Sequence, residues 1–133
     1  MRIVLDTNVL IAAFIARGVC HQLLEYCISN HDLAISEFIL DEVREKLVVK
    51  FKYTSEVADE TVKLLRSQME LVSPIPLDRP VCRDADDDNI LVAAVAGNCE
   101  CIITGDKDLL VLKRFQDIDI LSPGEFQAYE RIE

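Results

Sequence analysis

The chain has 133 residues, half of them hydrophobic, which is enough for one domain with a real core (residues 1–133) and leaves little room for a second. Its 24 acidic residues outnumber 14 basic ones, and the formal charge of −10 argues against a generally basic coat for nucleic acid and against anchoring on anionic lipid. No window has the length and apolar character of a transmembrane helix, and the carboxylate in MRIVLD comes too early for a signal peptide. We therefore expect a cytoplasmic protein with no membrane partner.

The cysteines do not form a recognisable metal or disulfide pattern. There are five of them, an odd number, with no CxxC motif, and the only histidines are His21 and His31. A zinc site needs four well-spaced soft ligands. We interpret the cysteines as reduced thiols that serve as small hydrophobes.

Short apolar runs alternate with helical patterns in the first half of the chain. Residues 3–5 and 33–35 are apolar runs typical of strands that are buried on both faces. Helical spacing follows the first strand, and a second helix is predicted over 19–29. Ser36 is placed to cap a third helix. Two helices then carry apolar stripes: Ile39, Val43 and Leu47 in the third, and Val57, Val62, Leu65 and Met69 over residues 55–70.

The second half continues this alternation after an irregular, proline-containing stretch at about 73–85. A helix over 87–97 is apolar almost all round and should be heavily buried. Strands are predicted at 101–104 and 118–121, and Ser122 followed by Pro123 indicates the start of a last helix. Alternating strands and helices favour a central parallel sheet with helices on both faces, a three-layer α/β/α sandwich.

Acidic and small polar residues follow two of these strands. Asp6, Thr7 and Asn8 come after the first, and Thr104, Asp106 and Asp108 come after the strand at 101–103. Ligands of open parallel sheets bind beyond the carboxyl ends of the strands. Neither strand end has a glycine-rich phosphate loop, so nucleoside triphosphate or dinucleotide binding has no support.

Further acids can join this edge of the sheet. Glu42 lies at the border of the buried stripe of its helix, and Asp88 begins the buried helix, with Asp84, Asp86 and Asp87 beside it. Clustered carboxylates near an apolar core are costly to keep ionised without a cation, and oxygen ligands favour Mg²⁺ or Mn²⁺.

Each acid also has a purely structural interpretation. Asp6 can be a turn cap, Glu42 can pair with Lys46 on a solvated helix face, and Asp106 can cap a short helix. The acids at 84–88 can simply complement a helix N-terminus. Only their coincidence at the strand ends favours a site.

Four segments in order resemble the PIN-domain family of nucleases, specifically the small prokaryotic VapC-like type known as toxin components. They are LDTNVL at 5–10, SEFILDEV at 36–43, RDADDDNIL at 83–91 and TGDKDLL at 104–110, and the resemblance covers nearly the whole chain. It implies the PIN-like α/β/α fold and Mg²⁺- or Mn²⁺-dependent hydrolysis of phosphodiester bonds in RNA. It also implies a small antitoxin as partner and a symmetric homodimer.

The resemblance assigns catalytic and metal-binding roles to Asp6, Glu42, Asp88 and Asp106. Asp88 is chosen because it lies eighteen residues before Asp106, the spacing that the family pattern suggests, and Asp87 is its main rival. Supporting roles fall to Asn8 and Thr104, which orient the acids, and to Asp108, a helix cap or an outer acid.

The densest basic stretch follows Glu42 and consists of Arg44, Lys46, Lys50 and Lys52. These are either ordinary solvated charges or a local track for RNA phosphates.

Three rival functions remain open. A metal-dependent phosphatase would favour Asp-x-Asp after the first strand, where this chain has Asn8, and a phospho-receiver domain would need adjacent acids there. A PIN fold that only binds RNA or protein is the third.

Overall fold

A computed structural model describes residues 1–132, and over that range it contains six strands and seven helices. The strands are β1 (Arg2–Leu5), β2 (Asp32–Ser36), β3 (Glu70–Val72), β4 (Cys101–Ile103), β5 (Arg114–Phe115) and β6 (Ile118–Leu121). The helices are α1 (Thr7–Ile15), α2 (Val19–Asn30), α3 (Glu37–Val49), α4 (Ser55–Gln68), α5 (Ala85–Ala96), α6 (Lys107–Leu110) and α7 (Pro123–Ile132).

The strands form one sheet in the order β3-β2-β1-β4-β6-β5. All neighbours are parallel except β5, which pairs antiparallel with β6 at the edge. Helix α5 packs across the central strands β1, β2 and β4, and α7 packs on β6 and α2. The predicted α/β/α arrangement around a mostly parallel sheet is confirmed.

The core lies where the central strands meet these helices. β1 and β4 are apolar on both faces because helices cover both, and Ile3, Val4 and Ile102 are fully buried. The segment Ile90–Ala94 of α5 is also buried, as its continuous apolar sequence predicts, while Val95 is partly exposed. Three of the five cysteines, which are all free thiols, belong to this core: Cys27, Cys99 and Cys101.

Two short strands were not predicted. The helix expected to reach residue 70 ends at Gln68, because Met69 is extended and the chain continues as β3 alongside β2. The buried face of α4 is formed by Ala58, Thr61 and Leu65, whereas Val57, expected in the stripe, is exposed. β5 has two residues and turns into β6 without a glycine, so neither length nor turn composition signals it.

The predicted helix boundaries are otherwise close. Ser36 accepts a hydrogen bond from the Ile39 amide at 3.3 Å and caps α3, and Ser122 accepts one from the Glu125 amide at 3.1 Å at the start of α7. Helix α5 begins at Ala85, two residues before the predicted start, with Asp84 as its cap.

No single helix within residues 1–132 is long and apolar enough to cross a membrane; α1 and α2 together, bent by 108°, pass that test by length and composition only.

Candidate metal-dependent active site

The carboxyl ends of the two central strands bring their following residues together. Leu5 of β1 lies opposite Ile103 of β4, and the Asp6 amide donates to the Ile103 carbonyl at 2.9 Å. Asp6 and Thr104 are therefore neighbours, although 98 residues separate them. Both residues lie at the carboxyl ends of strands, where the sequence predicted polar side chains.

A chain of hydrogen bonds fixes the acids at this edge. The Thr104 hydroxyl donates to Asp6 Oδ2 at 2.6 Å and accepts from the Asp106 amide at 3.0 Å. Asp106 Oδ1 accepts from the Asp108 amide at 2.9 Å, which caps α6. Asp6 is 5% exposed and Thr104 is fully buried, so both have little freedom to move. The Asp6 side chain does not cap α1, which leaves its carboxylate to face Thr104 and the other acids.

Thr7, directly after Asp6, presents an unusual buried hydroxyl. The residue is 1% exposed, and its Oγ1 has no hydrogen-bond partner within the described chain. An unpaired buried hydroxyl costs free energy of folding.

The acids line a polar cavity of about 210 Å³ at this edge. Four elements contribute to it: the start of α1, the middle of α3, the start of α5 and the turn before α6. Its lining consists of Asp6, Asn8, Glu42, Lys46, Asp84, Asp86, Asp87, Ile90 and Asp106. Of the four acids assigned by the resemblance, three therefore meet here.

Asp88 does not line this cavity. Its two carboxylate oxygens accept hydrogen bonds from the backbone amides of Val81 (3.1 Å) and Cys82 (2.8 Å), and it faces a separate groove under the proline-containing segment. Adjacent helical residues point about 100° apart, so Asp87 and Asp88 cannot share a direction. The structure therefore places Asp87, the rival of Asp88, among the acids, and Asp88 outside this cavity.

Helical spacing is the one sequence feature that agrees with the position of Asp87. Asp84, Asp87 and Ile90 all line the cavity and are spaced three residues apart, which puts them on one side of a helix that starts at Ala85. The prediction started the helix at residue 87 and relied on the spacing to Asp106 instead.

The electrostatics of the cavity suit a bound cation. Burial, then the negative charge of Asp106 and a hydrogen bond with it, raise the pKa of Asp87 from 3.8 to about 7. Burial also raises the pKa of Asp6, against the opposing hydrogen bond from Thr104, and the charges of Asp106 and Glu42 raise it further. Carboxylate oxygens of Asp87, Asp106 and Asp108 lie within 4.8 Å of one another. An oxygen-only set of mutually repelling carboxylates fits a hard divalent ion.

The four residues of the predicted basic stretch lie in different surroundings. Lys46 lines the cavity and donates to Asn8 Oδ1 at 3.2 Å, so Asn8 contacts this lysine. Arg44 is bound to Asp59 (Nε to Oδ1, 2.6 Å), and Lys50 and Lys52 are exposed and do not line the cavity. Only Lys46 of the four is a cavity residue.

Sequence reasoning missed a second cation at the site. One terminal nitrogen of Arg83 donates to both oxygens of Asp108, at 2.9 and 3.2 Å. Arg83 precedes the acidic run directly, and that adjacency was its only signal.

Comparison with known proteins gives a consistent result. A family model described as PIN domain matches residues 2–108. VapBC2 from Rickettsia felis, solved bound to a DNA fragment from its promoter, matches at 17% identity with a TM-score of 0.66, over 92% of this chain and 98% of that one. VapBC-1 from nontypeable Haemophilus influenzae matches at 18% identity with a TM-score of 0.65, over 93% and 99%. No curated protein sequence matches the chain.

Proposed function

Because this chain belongs to the PIN-domain family, we propose that it is a metal-dependent ribonuclease that hydrolyses phosphodiester bonds in RNA at the acidic cavity. The observation that carries the proposal is the convergence of Asp6, Glu42, Asp87 and Asp106 from four separate elements on one small cavity. Structural acids at helix ends would have no reason to meet in this way.

Asp6, Asp87 and Asp106 are the residues that would hold Mg²⁺ or Mn²⁺, with Glu42 beside them. The raised pKa values of Asp6 and Asp87 support this assignment, since a cation would relieve the repulsion that causes part of each shift. When bound, the ion supplies positive charge that activates water and neutralises the phosphate.

The protein's own residues provide position and charge. The Thr104 hydroxyl holds Asp6 Oδ2 and so joins the ends of β1 and β4, and its contact with the Asp106 amide orders the turn after β4. Glu42, on α3, lines the same cavity, where it would accept a proton from the attacking water. No nucleophilic serine, histidine or cysteine lines the cavity among the described residues, so direct attack by water is the chemistry that the site supports.

Cleavage of labelled single-stranded RNA by the purified protein, with Mn²⁺ and with chelator, tests the proposal. We expect cleavage that depends on the metal, and in Asp6→Asn and Asp87→Asn a loss of about 100-fold or more with the fold retained. Asp88→Asn is the matched control on the same helix turn and should keep cleavage.

Thermal melting with Mn²⁺ gives an independent measurement of the site. An ion at about 100 times its Kd stabilises the native state by about 2.7 kcal/mol. Wild type and Asp88→Asn should show this shift, and Asp6→Asn and Asp87→Asn should show much less. A rise in melting temperature with Mn²⁺ but no cleavage of any RNA would indicate a PIN fold that binds metal without nuclease activity. Loss of the rise in Asp88→Asn alone would identify Asp88 as the third acid.

We also propose that the protein is the toxin of a toxin–antitoxin pair and that a small antitoxin protein binds it. The support is that two solved structures with a similar fold are named as VapBC assemblies. Co-purification with the product of an adjacent small gene, followed by loss of RNA cleavage in the complex, would be the expected result. Full cleavage in such a complex would contradict this role.

A further inference from the structure

Arg83 lies at the rim of the acidic cavity and not in it. The residue lies in the loop before α5, next to the cap Asp84, and its side chain is 86% exposed. Its contact with Asp108 joins residues 25 positions apart, so the loop before α5 is tied to α6 beside the acids. An exposed arginine gains little stability from such a pair, which makes a purely structural role a weak explanation.

The geometry of the pair leaves the guanidinium available for a ligand. Both contacts to Asp108 come from one nitrogen, and of the five N–H donors of arginine three remain unused by that pair. A planar guanidinium with parallel free donors matches the oxygens of a phosphate. Asp108 itself lies within 4.8 Å of Asp87 and Asp106 through its carboxylate oxygens, so Arg83 is held next to the acids that carry the proposed chemistry.

The negative charge of the molecule favours a cationic side chain beside the cavity for binding RNA. A chain with a net charge of −10 repels a polyanion, and the cavity is lined mainly by carboxylates. Within residues 1–132, two cations are bonded to side chains around the cavity: Lys46 through Asn8, on the α3 side, and Arg83 through Asp108, before α5. Other arginines are bonded to acids elsewhere, as Arg66 is to Glu37 and Arg2 is to Glu70.

We propose that Arg83 binds a phosphate of single-stranded RNA beside the cavity and that Asp108 is its anchor. The inference rests on the proposed ribonuclease function and adds to it a substrate-binding residue outside the acid cluster. It assigns Asp108 to holding Arg83 and not to holding the metal.

The test compares Arg83→Gln and Asp108→Asn with wild type. Binding of a short labelled single-stranded RNA is measured by fluorescence anisotropy with Ca²⁺ present, over roughly 50 to 200 mM salt. We expect affinity to fall about threefold to tenfold in each variant. The slope of log K against log salt should flatten by about 0.7, the value for one lost contact to single-stranded nucleic acid.

Two further variants make the result specific. The double variant should lose little more than either single one, because both remove the same contact. Arg114→Gln is the control, because it removes another exposed arginine far from the site. Arg114 forms an ion pair with Asp119, and Asp119 lies beside Cys101 at the opposite end of β4 from the acids. This variant should leave affinity and slope unchanged.

The Mn²⁺-dependent rise in melting temperature separates this inference from the proposed function. Arg83→Gln and Asp108→Asn should both keep that rise, and losing it in Asp108→Asn would overturn the anchor role in favour of metal binding. If wild type cleaves RNA and Arg83→Gln binds it with the same affinity and salt slope, the inference fails while the ribonuclease stands. If wild type neither binds nor cleaves RNA, both fail.

Discussion

Two threonines at the strand ends, Thr7 and Thr104, are both buried but differ in what their hydroxyls contact. Thr104 donates to the buried Asp6 carboxylate, whereas Thr7 Oγ1 has no partner within residues 1–132. Thr104→Val should therefore destabilise the protein by about 1–3 kcal/mol, because it leaves a buried charge without its donor. Thr7→Val keeps the shape, removes an unpaired hydroxyl and should be neutral or stabilising. Urea denaturation without metal measures both, and equal losses would contradict the assigned contacts.

The raised pKa of Asp87 predicts how the metal-free protein responds to pH. Burial and the neighbouring charge of Asp106 raise the pKa from 3.8 to about 7, so between these values the folded state holds a proton that the unfolded state releases. The contribution of Asp87 to stability must then fall as pH rises through this window. Bound metal should remove this penalty, since it favours the ionised form.

Asp87→Asn removes the titrating group, so the melting temperature of this variant should rise relative to wild type as pH increases from about 5 to about 8. Melting curves in chelator measure the difference. Asp78→Asn, which removes an exposed charge in the proline-containing segment, is the control for the loss of one negative charge. A constant difference between Asp87→Asn and wild type across this range would show that Asp87 is not in the described environment.

At the scale of elements, α3 and α4 have matched caps but different consequences for the site. Ser36 caps α3 through the Ile39 amide, and Thr54 caps α4 through the Val57 amide at 3.2 Å. Replacing either cap by Ala should cost about 1 kcal/mol in the free energy of unfolding. α3 also carries Glu42 and Lys46, and α4 carries no residue of the cavity.

Ser36→Ala should therefore lower RNA cleavage as well as stability, whereas Thr54→Ala should lower stability alone. Cleavage rates measured well below both melting temperatures separate the two effects. A parallel loss of cleavage in both variants would mean that it reflects general destabilisation and not the position of α3.

The two short strands β3 and β5 were not predicted because they are too short to give a sequence signal. β3 has three residues and follows α4 without a break in composition, and β5 has two. Such strands are stabilised by pairing with a neighbour that is distant in sequence, as Leu71 pairs with Ile35. Local propensity over two or three residues is too weak to predict them.

At the scale of the whole molecule, we expect the protein to form a homodimer. Helices α1 and α2 carry more apolar residues than one buried stripe needs. Leu23 and Leu24 are buried, whereas Ile15 and Val19 are exposed by 42% and 66%. Leu64 of α4 is 50% exposed and lines the same groove as Ile15, between α1, α2 and α4. Exposed apolar side chains grouped in this way are typical of an interface.

Light scattering well above micromolar concentration should give the mass of a dimer, and Leu64→Glu should reduce it to that of a monomer. Val111→Glu, a change of an equally apolar residue that is 72% exposed and does not line this groove, should leave the dimer intact. A wild-type protein that is monomeric at those concentrations would contradict the prediction of a dimer.

The sequence by itself determined the alternating elements, the caps and the strand-end position of Asp6, Thr104 and Asp106. These features depend on hydrophobic periodicity and on interactions between residues close together in the chain, so the sequence predicts them without the tertiary structure. Parallel pairing of β1 and β4 then places those residues together, because the carboxyl ends of parallel strands share one edge.

Only the tertiary structure decided that Asp84, Asp86 and Asp87 line the cavity while Asp88 does not, and which cations accompany them. Asp87 and Asp88 point about 100° apart on α5, so the packing of this helix on the sheet decides which of them meets the other acids. The contacts of Lys46 with Asn8 and of Arg83 with Asp108 span 38 and 25 residues. They form because packing brings separate helices together, and no local pattern in the sequence encodes that distance.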